Sequence, residues 1–148
     1  MKTLLSVGLL VVLALSPLSR VRAHCEVPCG IYDDPARFTS MLEDAETIAK
    51  GIQALQDLAG TPNPQNINQM GRWITTKEDH ATKIQHTIAQ YFLTQRIKPE
   101  ASNYVDQLKT AHAVMVAAMK CKQSADPTTV DALVKAINAF QASYGTGP

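Results

Sequence analysis

FTSMLEDAETIAKGIQALQDL, residues 38–58, sets Phe38, Met41, Leu42, Ala45, Ile48, Ala49, Ile52, Leu55 and Leu58 at a spacing of three and four. Sustained for about six turns, that spacing collects apolar side chains on one face of an α-helix. Gly60-Thr61-Pro62-Asn63-Pro64 ends the pattern, because glycine and two prolines oppose its continuation. A second helix is predicted from about Asn66 to Gln95, with Ile67, Met70, Trp73, Ile74, Ala81, Ile84, Ile88, Tyr91 and Phe92 facing inward. Pro99 marks the next start. A third helix carries Tyr104, Leu108, Ala111, Val114, Met115, Ala118 and Met119. After Ser124-Ala125-Asp126-Pro127 a fourth carries Val130, Leu133, Val134, Ile137 and Phe140. Pro127 falls where a first helical turn tolerates proline. Four amphipathic helices with short connections bury their stripes only against one another, which predicts an all-α, antiparallel four-helix bundle over about 35–143. No strand pattern competes. The bundle alone says nothing of function, since unrelated activities share it.

Upstream, Met1-Lys2 is a short basic start and Leu4 to Leu15 a dozen largely apolar residues, too few to span a bilayer comfortably. Val21-Arg22-Ala23 places small residues three before and one before a cut, so residues 1–23 read as a secretory signal removed by a signal or maturation peptidase. A retained membrane anchor is the competing reading, and the short apolar run argues against it. The expected mature protein, residues 24–148, is secreted or periplasmic, with no membrane in its mature form. Without Lys2, Arg20 and Arg22, eleven basic residues stand against thirteen acidic ones, a net charge near −2. No basic patch suited to nucleic acid survives, and an aromatic share of 5% offers few stacking platforms. The three cysteines are too few to staple a fold. The core must therefore carry stability, and the close pair Cys25 and Cys29 invites another explanation.

If cleavage follows Ala23, His24 becomes the first mature residue and carries a free amine. That amine, the His24 imidazole and the thiolates of Cys25 and Cys29 then put four strong ligands within six residues, and the deprotonated amide of Cys25 adds a fifth. Amine, amide and the Cys25 thiolate form fused chelate rings on one metal, a planar N,N,S set. Cys29 closes the fourth corner if the chain curls back, and Pro28-Cys29-Gly30 is a composition suited to a tight return. A plane of two nitrogens and two sulfurs suits nickel(II) or copper(II), whereas zinc prefers a tetrahedron. Thiolates tend to reduce copper(II), so nickel is preferred, with His24 imidazole approaching along the axis. A small Cys25–Cys29 disulfide loop, or a redox pair weakened by its three intervening residues, remain the alternatives.

His-Cys-Glu-Val-Pro-Cys-Gly-Ile-Tyr, residues 24–32, ahead of a four-helix bundle of this length, resembles the nickel superoxide dismutases. The resemblance implies a nickel ion in each subunit cycling between nickel(II) and nickel(III), superoxide as substrate, dioxygen and hydrogen peroxide as products, and a homohexamer. It assigns the amine and axial imidazole to His24, an amide nitrogen and thiolate to Cys25, and the second thiolate to Cys29. Tyr32 matches the tyrosine beside the open axial face, where a positioned phenol helps protonate peroxide; packing at the helix entrance is its plainer reading. Glu26 stands where the family often has aspartate. Glu43 is the candidate carboxylate to orient the axial imidazole, against an ordinary surface glutamate. Where some members place an arginine on the second helix, this chain reads Thr75-Thr76-Lys77, so the role is absent or passes to Lys77. Tyr91-Phe92 resembles an aromatic pair packed near the hook.

His80 and His86, six apart, do not share a helix face, and with His112 they read as partly exposed or hydrogen-bonded histidines. Cys121 reads as a small core hydrophobe, and Met41, Met70, Met115 and Met119 as core filler. Two rivals use the same residues: a secreted nickel- or copper-binding protein without redox turnover, and a helical interaction module with Cys25 and Cys29 disulfide-linked.

Overall fold

The computed structural model describes residues 34–145, so residues 24–32 and the segment before them lie outside the described residues. Helix α1 spans Asp34–Ala59, α2 Pro64–His86, α3 Tyr104–Gln123 and α4 Thr128–Tyr144. Between α2 and α3 the chain runs on, without a break, as a π-helix over Thr87–Arg96. No strand occurs among the described residues.

The starts of α2 and α4 have local causes. Asn63 caps α2, its Oδ1 accepting from the Asn66 amide at 2.9 Å, and Pro64 occupies the first turn, where a missing N–H costs nothing. Asp126 Oδ1 accepts from the Thr128 amide at 2.9 Å at the start of α4, a bond that holds the Asp126 carboxyl below its usual range. Pro127 follows it, as the sequence leads one to expect.

Hydrogen bonds at the two poles give the helix directions. The first residue of α1, Asp34, meets Arg96 at the end of the π-helix and Tyr144 at the end of α4. At the other pole Gln56, near the end of α1, donates to the Ala125 carbonyl just before α4. Helix α1 therefore runs against both α2 and α4, and the four helices form a bundle.

Its core holds Met41, Ala45, Ile48, Ile52, Ile84, Ile88, Val114, Ala118, Leu133 and Ile137, all inaccessible to solvent. Cys121 is inaccessible too, its Sγ 3.3 Å from the Thr129 carbonyl, so it packs as a small hydrophobe. At the Asp34 pole Phe38, Phe92, Phe140 and Tyr144 form an aromatic knot with ring centroids 4.9 to 5.8 Å apart.

Two expectations about facing residues are corrected. Ile67 and Ile74, read as inward, are 61% and 46% exposed, and Met119 is 40% exposed. The buried register of α2 runs through Lys77, Ala81 and Ile84, and stepping it back by four and three reaches Trp73 and Met70. Ile74 and Ile67 stand one residue, about 100°, off that line. Met119 is likewise one residue past Ala118 on the buried line of α3.

Candidate functional site

His24, Cys25, Glu26, Cys29 and Tyr32 fall outside the described residues, and the chain enters the described structure two residues after Tyr32, at Asp34. What the structure shows is the platform at that entry. Asp34 opens α1, its carboxylate 16% exposed. Tyr91 donates its hydroxyl to Oδ1, Tyr144 donates to Oδ2 at 2.7 Å, and Arg96 reaches Oδ2 through Nη2 at 2.6 Å and Nε at 3.2 Å. The same Nε lies 3.3 Å from the Tyr144 hydroxyl oxygen, and the Arg37 guanidinium sits 4.8 Å over the Tyr91 ring.

Burial pushes the Asp34 carboxyl up. The hydrogen bonds from Arg96, Tyr91 and Tyr144, with the Arg96 charge, outweigh it and hold the group below the usual carboxylate range. Burial and the bond to Asp34 raise the Tyr91 phenol, and the same two causes push Tyr144 up to about 12. The bond to Asp34, then that to Tyr144, raises Arg96 further above its ordinary value. The cluster is thus an ionised carboxylate held by a guanidinium and two neutral phenols.

The π-helix makes this possible. Tyr91 and Arg96 are five residues apart, and at 100° per residue an α-helix would turn them roughly 140° away from each other. Winding with i→i+5 bonds brings such positions nearly into line. The backbone bond from Ile97 N to Phe92 O at 2.8 Å shows that winding, and the side chains of Thr94 and Gln95 also donate to carbonyls five residues back, Ala89 O at 2.8 Å and Gln90 O at 3.0 Å. Beside the cluster a surface cavity of about 760 Å³ is bordered by Phe38, Lys98, Gln107 and Tyr144.

The other candidates named from the sequence are dispersed. Glu43 is exposed on α1, and its backbone carbonyl accepts from Thr47 Oγ1 at 3.0 Å. Its neighbour Asp44 is the partnered carboxylate, 2.5 Å from His80 Nδ1 across α1 and α2. His86 and His112 are exposed. Lys77 is 3% exposed and donates to the carbonyls of Cys121 at 2.6 Å and Lys122 at 2.7 Å, at the pole opposite Asp34. It terminates α3 and does not stand near the entry point. Tyr91 and Phe92 are both buried at the Asp34 pole. Sequence reasoning missed Asp34, Arg96 and Tyr144. Only the acid at a helix start carried a signal, because the π-helix that recruits Arg96 has no periodic signature. Among the described residues no group of three or more His, Cys, Asp or Glu is gathered to hold a metal, and no helix is long and apolar enough to cross a membrane.

A family model described as nickel-containing superoxide dismutase matches residues 19–146. Over 115 residues the chain is 28% identical to "Superoxide dismutase [Ni]" of Streptomyces coelicolor (strain ATCC BAA-471 / A3(2) / M145), an alignment covering 77% of this chain and 79% of that protein. No solved structure matches the chain.

Proposed function

The chain belongs to the nickel-containing superoxide dismutases, and from that membership we propose that its metal centre is the segment His24 to Tyr32, set free as a new N-terminus by cleavage after Ala23. The protein is a superoxide dismutase, an oxidoreductase with nickel as its metal. One observation supports placing the centre there: His24, Cys25 and Cys29 put an amine, an imidazole, an amide and two thiolates within six residues.

That donor set fits the metal, since two nitrogens and two thiolates are donors that would suit nickel(II). When bound, nickel would supply a one-electron nickel(II)/nickel(III) couple, the chemistry needed to oxidise one superoxide to dioxygen and to reduce a second, with two protons, to hydrogen peroxide. His24 contributes its amine and imidazole, Cys25 its amide nitrogen and thiolate, and Cys29 the second thiolate. The Tyr32 phenol orders water or the small anion beside the metal and provides a proton donor. Glu43, solvent-exposed on α1, orients the His24 imidazole, and Glu26 keeps a negative charge within the segment. The mature protein acts outside the cytoplasm, secreted or periplasmic, with one nickel per subunit in a homohexamer. A nickel or copper carrier without turnover is not favoured, because the family is one of dismutases.

The test is N-terminal sequencing of the native protein combined with nickel analysis and a superoxide assay. A start at His24 with one nickel per chain is expected. Cys25→Ser and Cys29→Ser should lose both nickel and turnover, and His24→Ala should keep some nickel and lose turnover. Full turnover with nickel retained in either cysteine variant would sink the assignment.

A further inference from the structure

The Asp34 cluster is built more heavily than helix capping needs. A carboxylate in the first turn already gains from the helix dipole without any partner, yet Asp34 collects a guanidinium and two phenols from two other elements. The chain also adopts ten residues of the uncommon π-helix at the one place where that winding lines Tyr91 up with Arg96. Departures of this kind from α-helical geometry concentrate at functional sites. Asp34 lies five residues after Cys29, so no more than about 18 Å of extended chain separates Asp34 from the last cysteine of the donor set.

We propose that Arg96 and Tyr144, acting through Asp34, are positioning residues for the dismutase centre: they fix the point at which the metal-binding segment leaves the bundle. Neither touches the reacting atoms. Their contribution is to shorten the stretch of chain whose freedom is lost when the donors gather on one ion. A segment anchored at its root gives up less entropy on closing than one whose root frays by a turn. The clasp joins three elements, the start of α1, the end of the π-helix and the end of α4, so the root is held against the whole pole of the bundle. The inference rests on placing the metal at His24 to Tyr32.

The experiment measures the rate at which the processed, nickel-loaded protein releases its metal to a chelator, well below its melting temperature. Tyr144→Phe removes one hydroxyl and keeps the ring in the aromatic knot. Arg96→Gln removes the charge, and Arg96→Lys restores it. Lys77→Met is the control, because it weakens the opposite pole. Release should be roughly tenfold faster in Tyr144→Phe and Arg96→Gln, the scale of one lost charge-assisted hydrogen bond. It should be partly rescued in Arg96→Lys and parental in Lys77→Met, even where Lys77→Met lowers the melting temperature by as much. Parental release in both clasp variants overturns the proposal, and so does release that follows melting temperature across all four. A parent that binds no nickel overturns the placement of the metal and this inference together; a nickel-loaded parent with unchanged variants overturns this inference alone.

Discussion

The ammonium of Lys77 donates to the backbone carbonyl of Cys121 at 2.6 Å, and to the next carbonyl at 2.7 Å, so a side chain of α2 closes the C-terminal end of α3. A helix end leaves carbonyls without partners, and a cation is the favoured group to meet them. Lys77→Met matches the stem and removes the donor. It should cost about 2 kcal/mol, because buried acceptors lose a charged partner. Urea denaturation checks this, and a variant as stable as the parent would show the contact to be idle.

The Asp34 carboxyl is held below its ordinary 3.8. A depressed acid stabilises the fold fully above its unfolded value, and that stability disappears as pH falls through the lower folded value. Asp34→Asn should therefore be less stable than the parent at neutral pH, by about 1.5 to 3 kcal/mol. The gap should narrow as pH falls below 3.8, through the lower folded value. Stability measured against pH in both proteins tests the sign, and a constant gap would count against it.

At the alkaline end Tyr144 behaves in the opposite sense, pushed up to about 12 by burial and by Asp34. The neutral phenol is what the fold favours. Its contribution is intact below the ordinary 10 and is lost as pH rises toward about 12. Tyr144→Phe should flatten the loss of stability across that window in alkaline titrations followed by circular dichroism. An equally steep loss would point to other groups.

Cys121 is fully buried, and burial pushes its thiol up. Inaccessibility and the raised value both suppress the reactive thiolate. A thiol reagent should leave Cys121 unmodified in the native protein and label it within the unfolding transition. Peptide mapping identifies the labelled site, and rapid native labelling of Cys121 would contradict its packing.

Gly71 sits inside α2 with nothing within 4 Å of the place a Cβ would occupy. Alanine there meets no obstacle and restricts the unfolded chain. Gly71→Ala should stabilise the protein by about 0.5 to 1 kcal/mol, read as a raised thermal midpoint. A lowered midpoint would mean that this exposed stretch of α2 is packed against something in solution.

The bundle was legible because Phe38 to Leu58, and the stripes after it, repeat at the helical period strongly enough to override local detail. Helix α2 was less legible, and Lys77 explains why. The buried line passes through a lysine, so following apolar residues alone slips by one position onto Ile67 and Ile74. Lysine is tolerated there because its head finds two carbonyls 44 and 45 residues away, a long-range fact without a local trace. The donor set at His24, Cys25 and Cys29 was legible from residue chemistry. The clasp was not, because whether Arg96 faces Asp34 depends on a change of winding between Thr87 and Arg96 that the pattern does not announce.

Tyr144 and Asp34 are 110 residues apart in sequence and share a hydrogen bond. The polypeptide between them is therefore a noncovalent ring, with its first and last turns fastened at one point. Terminal helices ordinarily peel independently, each at little cost. Here, loosening the start of α1 deprives the end of α4 of its partner, and the reverse holds equally. Fraying at the two ends becomes a single coupled event, and the bundle opens from this pole as a unit or stays shut.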